Sequence, residues 1–184
     1  MLKNNTFKRV KNQTNVIFKS DFLSGLNMTE RYEFLQLCHR RRYKEGEYIF
    51  YQNDPGTGMY FIEEGKVQLE VVNNLEDPDT GVVTFLLEPA DHFGSMSIGY
   101  DLRRMSSAKC VTDCTLLGFF KPDFETLKKR HPEIAVKILE SIANLAMKQL
   151  ELTMRKLCET ADTKTAFAIQ FETHYQKSQD PESE

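Results

Sequence analysis

The chain has 184 residues and a net charge of −3, which suits one domain with a real core and excludes a global basic field for nucleic acid. No apolar run approaches the length of a membrane span, and the N-terminus lacks the apolar core of a secretory signal. Four dispersed cysteines, Cys38, Cys110, Cys114 and Cys158, favour reduced thiols in a cytoplasmic protein over disulfides or a metal site.

The first predicted elements are a tail and a helix. Residues 1–15 are polar and basic, which predicts a flexible N-terminal tail before a domain over 16–159. Thr29 is the predicted cap of a helix that runs to about Cys38. The arginines at 40–42 are assigned to the end of this helix, where cations suit the helix dipole.

Between residues 43 and 120 the pattern is that of short strands and turns. Runs rich in β-branched and aromatic residues alternate with glycine, proline and Asp-rich turns. The predicted strands are 48–51, 59–62, 66–72, 81–87, 106–111 and 114–120. This spacing is typical of a mainly β domain built as an antiparallel sandwich or roll, with a pocket between its sheets.

One stretch inside this β region has the composition of an anion cradle. A glycine lets the backbone approach a ligand, one helical turn offers free N–H groups, and a pair of arginines and two serines follow. The candidate ligand-binding residues are Gly94, Ser95, Met96, Ser97, Arg103, Arg104, Ser106 and Ser107. The alternative is an ordinary solvated surface loop, which often contains the same residue types.

The last part of the chain is predicted to be helical. A short helix over 123–130 stops before Pro132, and a long helix runs over 132–159 with proline in its first turn. Its apolar residues form two stripes, of which one suffices to pack on the β domain, so the other predicts a partner. The stripes are Ile134, Ile138, Leu145 and Leu152, and Leu139, Ile142, Ala146, Leu150 and Met154. Residues 160–184 are predicted to form a short C-terminal helix and an acidic tail.

Several motifs together resemble the cyclic-nucleotide-binding domain family, the sensor domain of catabolite activator-like regulators. They are Gly46-Glu47 before a strand, the turn Asp54-Pro55-Gly56, the strand 59–62, Gly65 before Val67, Phe93-Gly94, and Arg104. The resemblance covers about residues 22–158. It implies a double-stranded antiparallel β-roll followed by a long C-terminal dimerisation helix, here 132–159, and therefore a homodimer.

The resemblance also bears on DNA binding. Bacterial regulators of this family carry a winged helix-turn-helix after the dimerisation helix, and the 26 residues after Cys158 leave no room for its recognition helix. We therefore expect no DNA binding, although a shortened regulator would have the same sequence.

The resemblance implies a role for individual site residues. Nucleotide-binding members have a glutamate where this chain has Ser95, and that glutamate grips the ribose 2′-hydroxyl. The arginine that pairs with the cyclic phosphate corresponds to Arg104, with Arg103 as the second choice. Gln149 and Thr153, one turn apart on the long helix, are candidates for the base side. The implied ligand is cyclic AMP or cyclic GMP, without a metal, and Ser95 weakens that expectation.

Two functions follow from these expectations, and a third is disfavoured. The chain is either a sensor of a cyclic nucleotide or a related anion, or a degenerate domain that serves as a dimeric protein-interaction adaptor. An enzyme is disfavoured because the four histidines show no nucleophile or metal-ligand spacing; they are His39, His92, His131 and His174. We therefore predict a non-enzymatic, cytoplasmic signalling module that does not associate with membranes and has an unidentified protein partner.

Overall fold

The structure is a computed structural model that describes residues 16–72 and 81–168. The described residues fall into two compact units, divided between Ile142 and Ala143. The predicted tail at 1–15 and residues 169–184 of the predicted C-terminal segment lie outside the described residues. Across the described residues, no helix combines the length and apolar content needed to cross a membrane.

Eight strands in the described residues form two four-stranded antiparallel sheets. They are β1 His39–Tyr43, β2 Tyr48–Phe50, β3 Gly58–Glu64, β4 Val67–Val72, β5 Val82–Leu87, β6 His92–Phe93, β7 Ser107–Cys110 and β8 Cys114–Phe120. The sheet orders are β1-β8-β3-β6 and β2-β7-β4-β5. The predicted antiparallel β-roll with a long C-terminal helix is confirmed.

The helices flank this β-roll in sequence. A 3-10 turn at Asp21–Leu23 is followed by α1 at Met28–Gln36, and the single turn α2 at Met96–Gly99 interrupts the strands. After the roll come α3 at Lys121–Arg130 and α4 at Pro132–Thr160. Residues 16–19 and 163–168 are also helical.

Two local predictions near the N-terminus are wrong. Helix α1 is capped by Asn27 rather than Thr29: Asn27 Oδ1 accepts from the Glu30 N–H at 3.0 Å, and Glu30 Oε2 accepts from the Asn27 N–H at 2.8 Å. This reciprocal capping box satisfies two backbone donors that a later start would leave free. The arginines at 40–42 lie in strand β1 rather than at a helix end, because backbone pairing with β8 overrides their local preference.

The unit that ends at Ile142 contains two apolar cores. One lies beneath the helices and includes Phe34, Phe61, Phe119 and Leu127, and the other fills part of the roll interior around Ile62. Helix α4 buries one stripe in the first core, consisting of Ile134, Ala135, Ile138 and Ile142. The predicted membership of the stripes was partly wrong, since Ile142 was assigned to the other stripe while the first-stripe residue Leu152 is 62% exposed.

Candidate functional site

The predicted anion cradle begins at a tight turn between β6 and α2. Gly94 has a φ of +77°, and a Cβ atom there would lie 2.5 Å from Nη1 of Arg104 and 3.0 Å from the Gly58 carbonyl oxygen. Only glycine fits this backbone conformation and this approach without strain. The turn therefore brings the backbone against the side chain of Arg104.

Arg104 is the buried charge of this region, with 5% of its surface exposed. Its Nη2 donates to the Gly58 carbonyl at 2.7 Å and its Nη1 donates to Ser97 Oγ at 3.1 Å. Its guanidinium carbon lies 4.1 Å from the centroid of the Phe50 ring. The Nε atom is buried and has no hydrogen-bond partner. The buried Nε–H of the guanidinium therefore remains an unused donor.

Burial also controls the protonation equilibrium of this arginine. Desolvation lowers the pKa of the Arg104 guanidinium, while the nearby Tyr60 and the carboxylate of Asp54 act in the opposite direction. Arginine remains charged over the whole physiological range even so. The site therefore holds a permanent positive charge in a poorly hydrated place.

A backbone clamp fixes the position of Arg104. Its N–H donates to the Asp54 carbonyl and its carbonyl accepts from the Asn53 N–H, both at 2.8 Å. The Gly56 N–H donates to the Leu102 carbonyl at 2.9 Å, so the two segments pair antiparallel. The turn at 54–56 thus anchors the segment that carries the arginine.

Arg103, the second candidate, occupies a different environment. Its side chain is exposed and Nη1 donates to the Asn53 carbonyl oxygen at 2.7 Å. Its neighbour Met105 is 80% exposed. The two adjacent arginines therefore do not converge: Arg104 lies inside the roll, and Arg103 supports the turn from outside.

Two backbone N–H groups of the predicted helical turn form hydrogen bonds within the turn itself. Ser97 N–H donates to the Gly94 carbonyl at 3.2 Å and Ile98 N–H to the Ser95 carbonyl at 3.0 Å. Ser95 and Ser97 are both buried, and Met96 packs against the first core. The amides of Ser97 and Ile98 are therefore engaged within the turn, while the Ser97 hydroxyl contacts Arg104.

The two serines after the arginines differ in their surroundings. Ser107 Oγ accepts from the Gln52 N–H at 2.9 Å, and Ser107 pairs with Glu70 across β7 and β4. Ser106 is half-buried and directly precedes β7. Ser107 thus has a structural partner in the strand framework.

The predicted base-side residues belong to the other compact unit. Gln149 and Thr153 are exposed residues of α4 beyond Ile142. Their role at the site stays a prediction.

Sequence reasoning missed three contributors to the Arg104 environment. They are the Phe50 ring, the Gly58 carbonyl and the nearby Tyr60. In the sequence, these groups were visible only as a glycine in the family-like stretch (Gly58) and as aromatic residues within predicted strands (Phe50 and Tyr60). Which arginine these groups would meet depends on pairing between distant strands.

The histidine nearest to the cradle is a packing residue. His92 packs against Phe22 with ring centroids 4.6 Å apart and ring planes tilted by 40°, and it lies 5.9 Å from the Phe61 ring. Burial lowers the pKa of His92, which favours its neutral form. Burial likewise raises the pKa of Cys110 to about 12, so this thiol stays protonated at neutral pH. Within the described residues, no group of three or more His, Cys, Asp or Glu side chains is placed to hold a metal ion.

Comparisons with known proteins agree with this architecture. The family model described as "Cyclic nucleotide-binding domain" matches residues 40–131. The "Cyclic AMP receptor protein" of Thermus thermophilus is 33% identical over 151 residues, which are 82% of this chain and 68% of that protein. The cAMP-dependent protein kinase regulatory subunit of Dictyostelium discoideum is 29% identical over 64% of this chain, which spans only 36% of that protein.

A solved structure extends the comparison to three dimensions. The catabolite activator protein of Thermus thermophilus superposes with a TM-score of 0.63 at 32% identity, covering 75% of this chain and 63% of that one. The roll, the Gly94 turn, the buried Arg104 and these matches lead to one conclusion. The chain belongs to the cyclic nucleotide-binding domain family.

Proposed function

We propose that this chain is a non-enzymatic, cytoplasmic regulatory module that senses an anionic small molecule, with cyclic AMP or cyclic GMP as the first candidates. The observation that carries the proposal is Arg104, a buried guanidinium whose Nε–H lacks a partner. A buried charged donor without a partner is costly, so a phosphate oxygen that displaced the groups now covering Nε would form a charge-assisted hydrogen bond there. The relatives named as a cyclic AMP receptor and a cAMP-dependent kinase subunit support this class of ligand.

The proposed site offers strong hydrogen-bond donors to a phosphate and only a weak partner to a ribose hydroxyl. Arg104 supplies the charge for a phosphate, with the amides of Ser95 and Met96 and the Ser106 hydroxyl as further donors. Ser95 stands where nucleotide-binding relatives have the glutamate that grips the ribose 2′-hydroxyl, and serine is shorter and neutral. Losing a hydrogen bond that involves a charged group costs about 1.5–3 kcal/mol, or roughly ten- to a hundredfold in affinity.

Titration calorimetry with cyclic AMP and 2′-deoxy cyclic AMP tests this division. We expect the wild type to bind both with similar affinity, and Ser95→Glu to tighten cyclic AMP alone by about ten- to a hundredfold. A wild type that strongly prefers the 2′-hydroxyl would show that another residue has replaced the glutamate.

The second candidate function is a ligand-free adaptor, and the serine at position 95 favours it. In that case neither wild type nor Ser95→Glu binds cyclic AMP, cyclic GMP or a cyclic dinucleotide. A mass spectrum of the protein as purified complements the titrations, because a retained small anion would argue for a sensor with a different ligand.

We further propose that the chain forms a homodimer through the predicted dimerisation helix at 132–159. Apolar residues exposed on α4 support the proposal, among them Met147 at 64% and Leu152 at 62%. Light scattering should report a dimer for the wild type and a monomer for Leu145→Glu combined with Leu152→Glu. A monomeric wild type at micromolar concentration would contradict the dimer.

DNA binding is not part of the proposed function. A net charge of −3 gives no favourable field for a polyanion, so we expect at most weak, salt-sensitive binding to duplex DNA. Sequence-specific binding that survives physiological salt would contradict this expectation.

A further inference from the structure

Arg104 presents an electrostatic problem that an ion pair usually solves. A guanidinium that is 5% exposed has lost most of its hydration, and buried charges in proteins are normally paired. Among the described residues, however, no carboxylate forms a hydrogen bond or salt bridge with it. The Asp54 carboxylate acts on it only through space, and its Oδ2 accepts from the Tyr51 N–H at 2.8 Å.

Three neutral groups hold Arg104 instead. The Gly58 carbonyl and the Ser97 hydroxyl accept hydrogen bonds at the edge of the guanidinium. The Phe50 ring covers its face, with the guanidinium carbon 4.1 Å from the ring centroid. That distance is well within the roughly 6 Å over which an aromatic face attracts a cation, and the attraction is strongest for desolvated groups.

The Phe50 ring is itself fixed by other rings. Its centroid lies 5.9 Å from that of Phe93 and 6.3 Å from that of Tyr60, and the rings of Tyr60 and Phe93 stack at 5.3 Å. We call Phe50, Tyr60 and Phe93 the aromatic platform. Because its rings lock one another, the platform presents a defined face to the arginine rather than a mobile side chain.

We infer that Phe50 is the positioning residue of the anion site, holding the Arg104 guanidinium by its face while leaving the positive charge uncompensated. A carboxylate would orient the arginine equally well, but it would neutralise the charge that an anionic ligand has to meet. A quadrupole attracts the cation without cancelling its charge. The inference rests on the proposed function, since the uncompensated charge is useful only to an anion.

Loss of the Phe50 face should free the guanidinium to leave its binding position. The Asp54 carboxylate already acts on Arg104 electrostatically and is therefore a competing anion for the freed guanidinium. A ligand would then have to recapture the arginine, which lowers its affinity through lost preorganisation. We expect Phe50→Leu to weaken cyclic AMP binding by about ten- to thirtyfold and Phe50→Tyr to leave it within about threefold.

Two measurements on the full chain test this role. The first is calorimetry with cyclic AMP and with inorganic phosphate. The second is the ¹⁵N relaxation order parameter of the Arg104 side-chain Nε–Hε group in NMR spectra, assigned through its loss in Arg104→Lys, because it reports how firmly the guanidinium is held and does not depend on the ring current of Phe50. Since Phe50→Leu leaves a space in the core, Phe50→pentafluorophenylalanine provides a variant of nearly the same shape whose ring face no longer attracts cations.

The expected result is a coordinated change. In the leucine and pentafluorophenylalanine variants the order parameter of the Arg104 Nε–Hε group and the affinity for cyclic AMP both fall, while the tyrosine variant resembles the wild type. An unchanged order parameter in both altered variants overturns the inference, even if affinity falls. If the wild type binds neither probe, the proposed function fails, and the order parameter of the Arg104 Nε–Hε group alone still decides whether Phe50 positions the arginine.

Discussion

Two arginines of the β-roll, Arg40 and Arg104, are held in contrasting ways. Arg40 lies in β1 and its Nε donates to Glu63 Oε2 of β3 at 2.7 Å, with the two side chains 20% and 5% exposed. Arg104 is more deeply buried and contacts only neutral groups, including the Gly58 carbonyl and the Phe50 ring. The first arginine is neutralised within the fold, whereas the second has no carboxylate partner among the described residues and is the charge that we propose for a ligand.

Glu63, the carboxylate partner of Arg40, shows what it costs to bury an ion pair. Burial raises the pKa of Glu63, and the hydrogen bond and charge of Arg40 oppose this rise. Its second oxygen, Oε1, is buried without a hydrogen-bond partner. The pair therefore contributes to stability only while both members are present, and it offers no free charge.

The largest expected effect comes from filling the space beside Arg104. In Gly94→Ala the new methyl group would lie 2.5 Å from Nη1 at a φ of +77°. We expect a loss of about 3–4 kcal/mol in the free energy of unfolding and no measurable anion binding. Urea unfolding and calorimetry with cyclic AMP measure the two effects.

Gly46→Ala is the matched control for that substitution. Gly46 has a φ of +83°, but a Cβ atom there has no neighbour within 4 Å. Gly46→Ala should lose only about 1–2 kcal/mol in the free energy of unfolding, which is the cost of placing alanine in the left-handed backbone conformation, and it should keep anion binding. Equal losses in both variants would show that contact with Arg104 does not matter.

The second prediction separates the two arginines by stability. Arg40→Met leaves the Glu63 carboxylate buried and unpaired, which should cost about 3 kcal/mol at neutral pH without changing anion affinity. Urea unfolding measures the loss, and Arg40→Met combined with Glu63→Leu should recover most of it. A change in cyclic AMP affinity in Arg40→Met would break the distinction between the two arginines.

The same variant should acquire a pH dependence. Removing Arg40 removes the hydrogen bond and the larger of the two arginine charges that lower the Glu63 pKa, leaving only Arg42, so the folded-state pKa rises further above its unfolded value. The folded chain then binds more protons than the unfolded chain, and stability falls as pH rises. Relative to wild type, Arg40→Met should be least destabilised near pH 4 and progressively more so towards pH 7. A loss that is constant over this range would contradict the assignment to Glu63.

The smallest expected effects distinguish two serines. Ser97→Ala removes one hydrogen-bond acceptor of Arg104 and should weaken cyclic AMP binding by about five- to tenfold. Ser107→Ala removes the acceptor for the Gln52 N–H and should cost about 1 kcal/mol of stability with unchanged affinity. Calorimetry and urea unfolding of both variants should show opposite patterns. Weaker cyclic AMP binding in Ser107→Ala would place that hydroxyl at the ligand instead.

The fold was largely predictable because its signals are local. Alternating β-rich runs and glycine turns located most strands, and proline in the first turn located the start of α4. Strand β1 was missed because a run of arginines has no local β preference. It forms because its backbone pairs with β8, from His39 opposite Gly118 to Tyr43 opposite Cys114.

The candidate site was predictable only in outline. The residue pattern identified the Gly94 turn and a pair of adjacent arginines, and the family resemblance favoured Arg104 for the phosphate with Arg103 as the second choice. Burial of Arg104 and exposure of Arg103 follow from pairing of their segment with residues 53–56. The Phe50 contact also escaped prediction, because it joins β2 to a segment more than fifty residues later through the assembled roll.

The central claim is that Arg104, rather than its neighbour, provides the charge for an anionic ligand. Calorimetry with cyclic AMP on Arg104→Gln and Arg103→Gln tests it most directly, since the variants make the same chemical change at adjacent positions. We predict that Arg104→Gln loses at least about a hundredfold in affinity while Arg103→Gln stays within about twofold of wild type. Retained binding in Arg104→Gln, or a comparable loss in Arg103→Gln, would contradict the account.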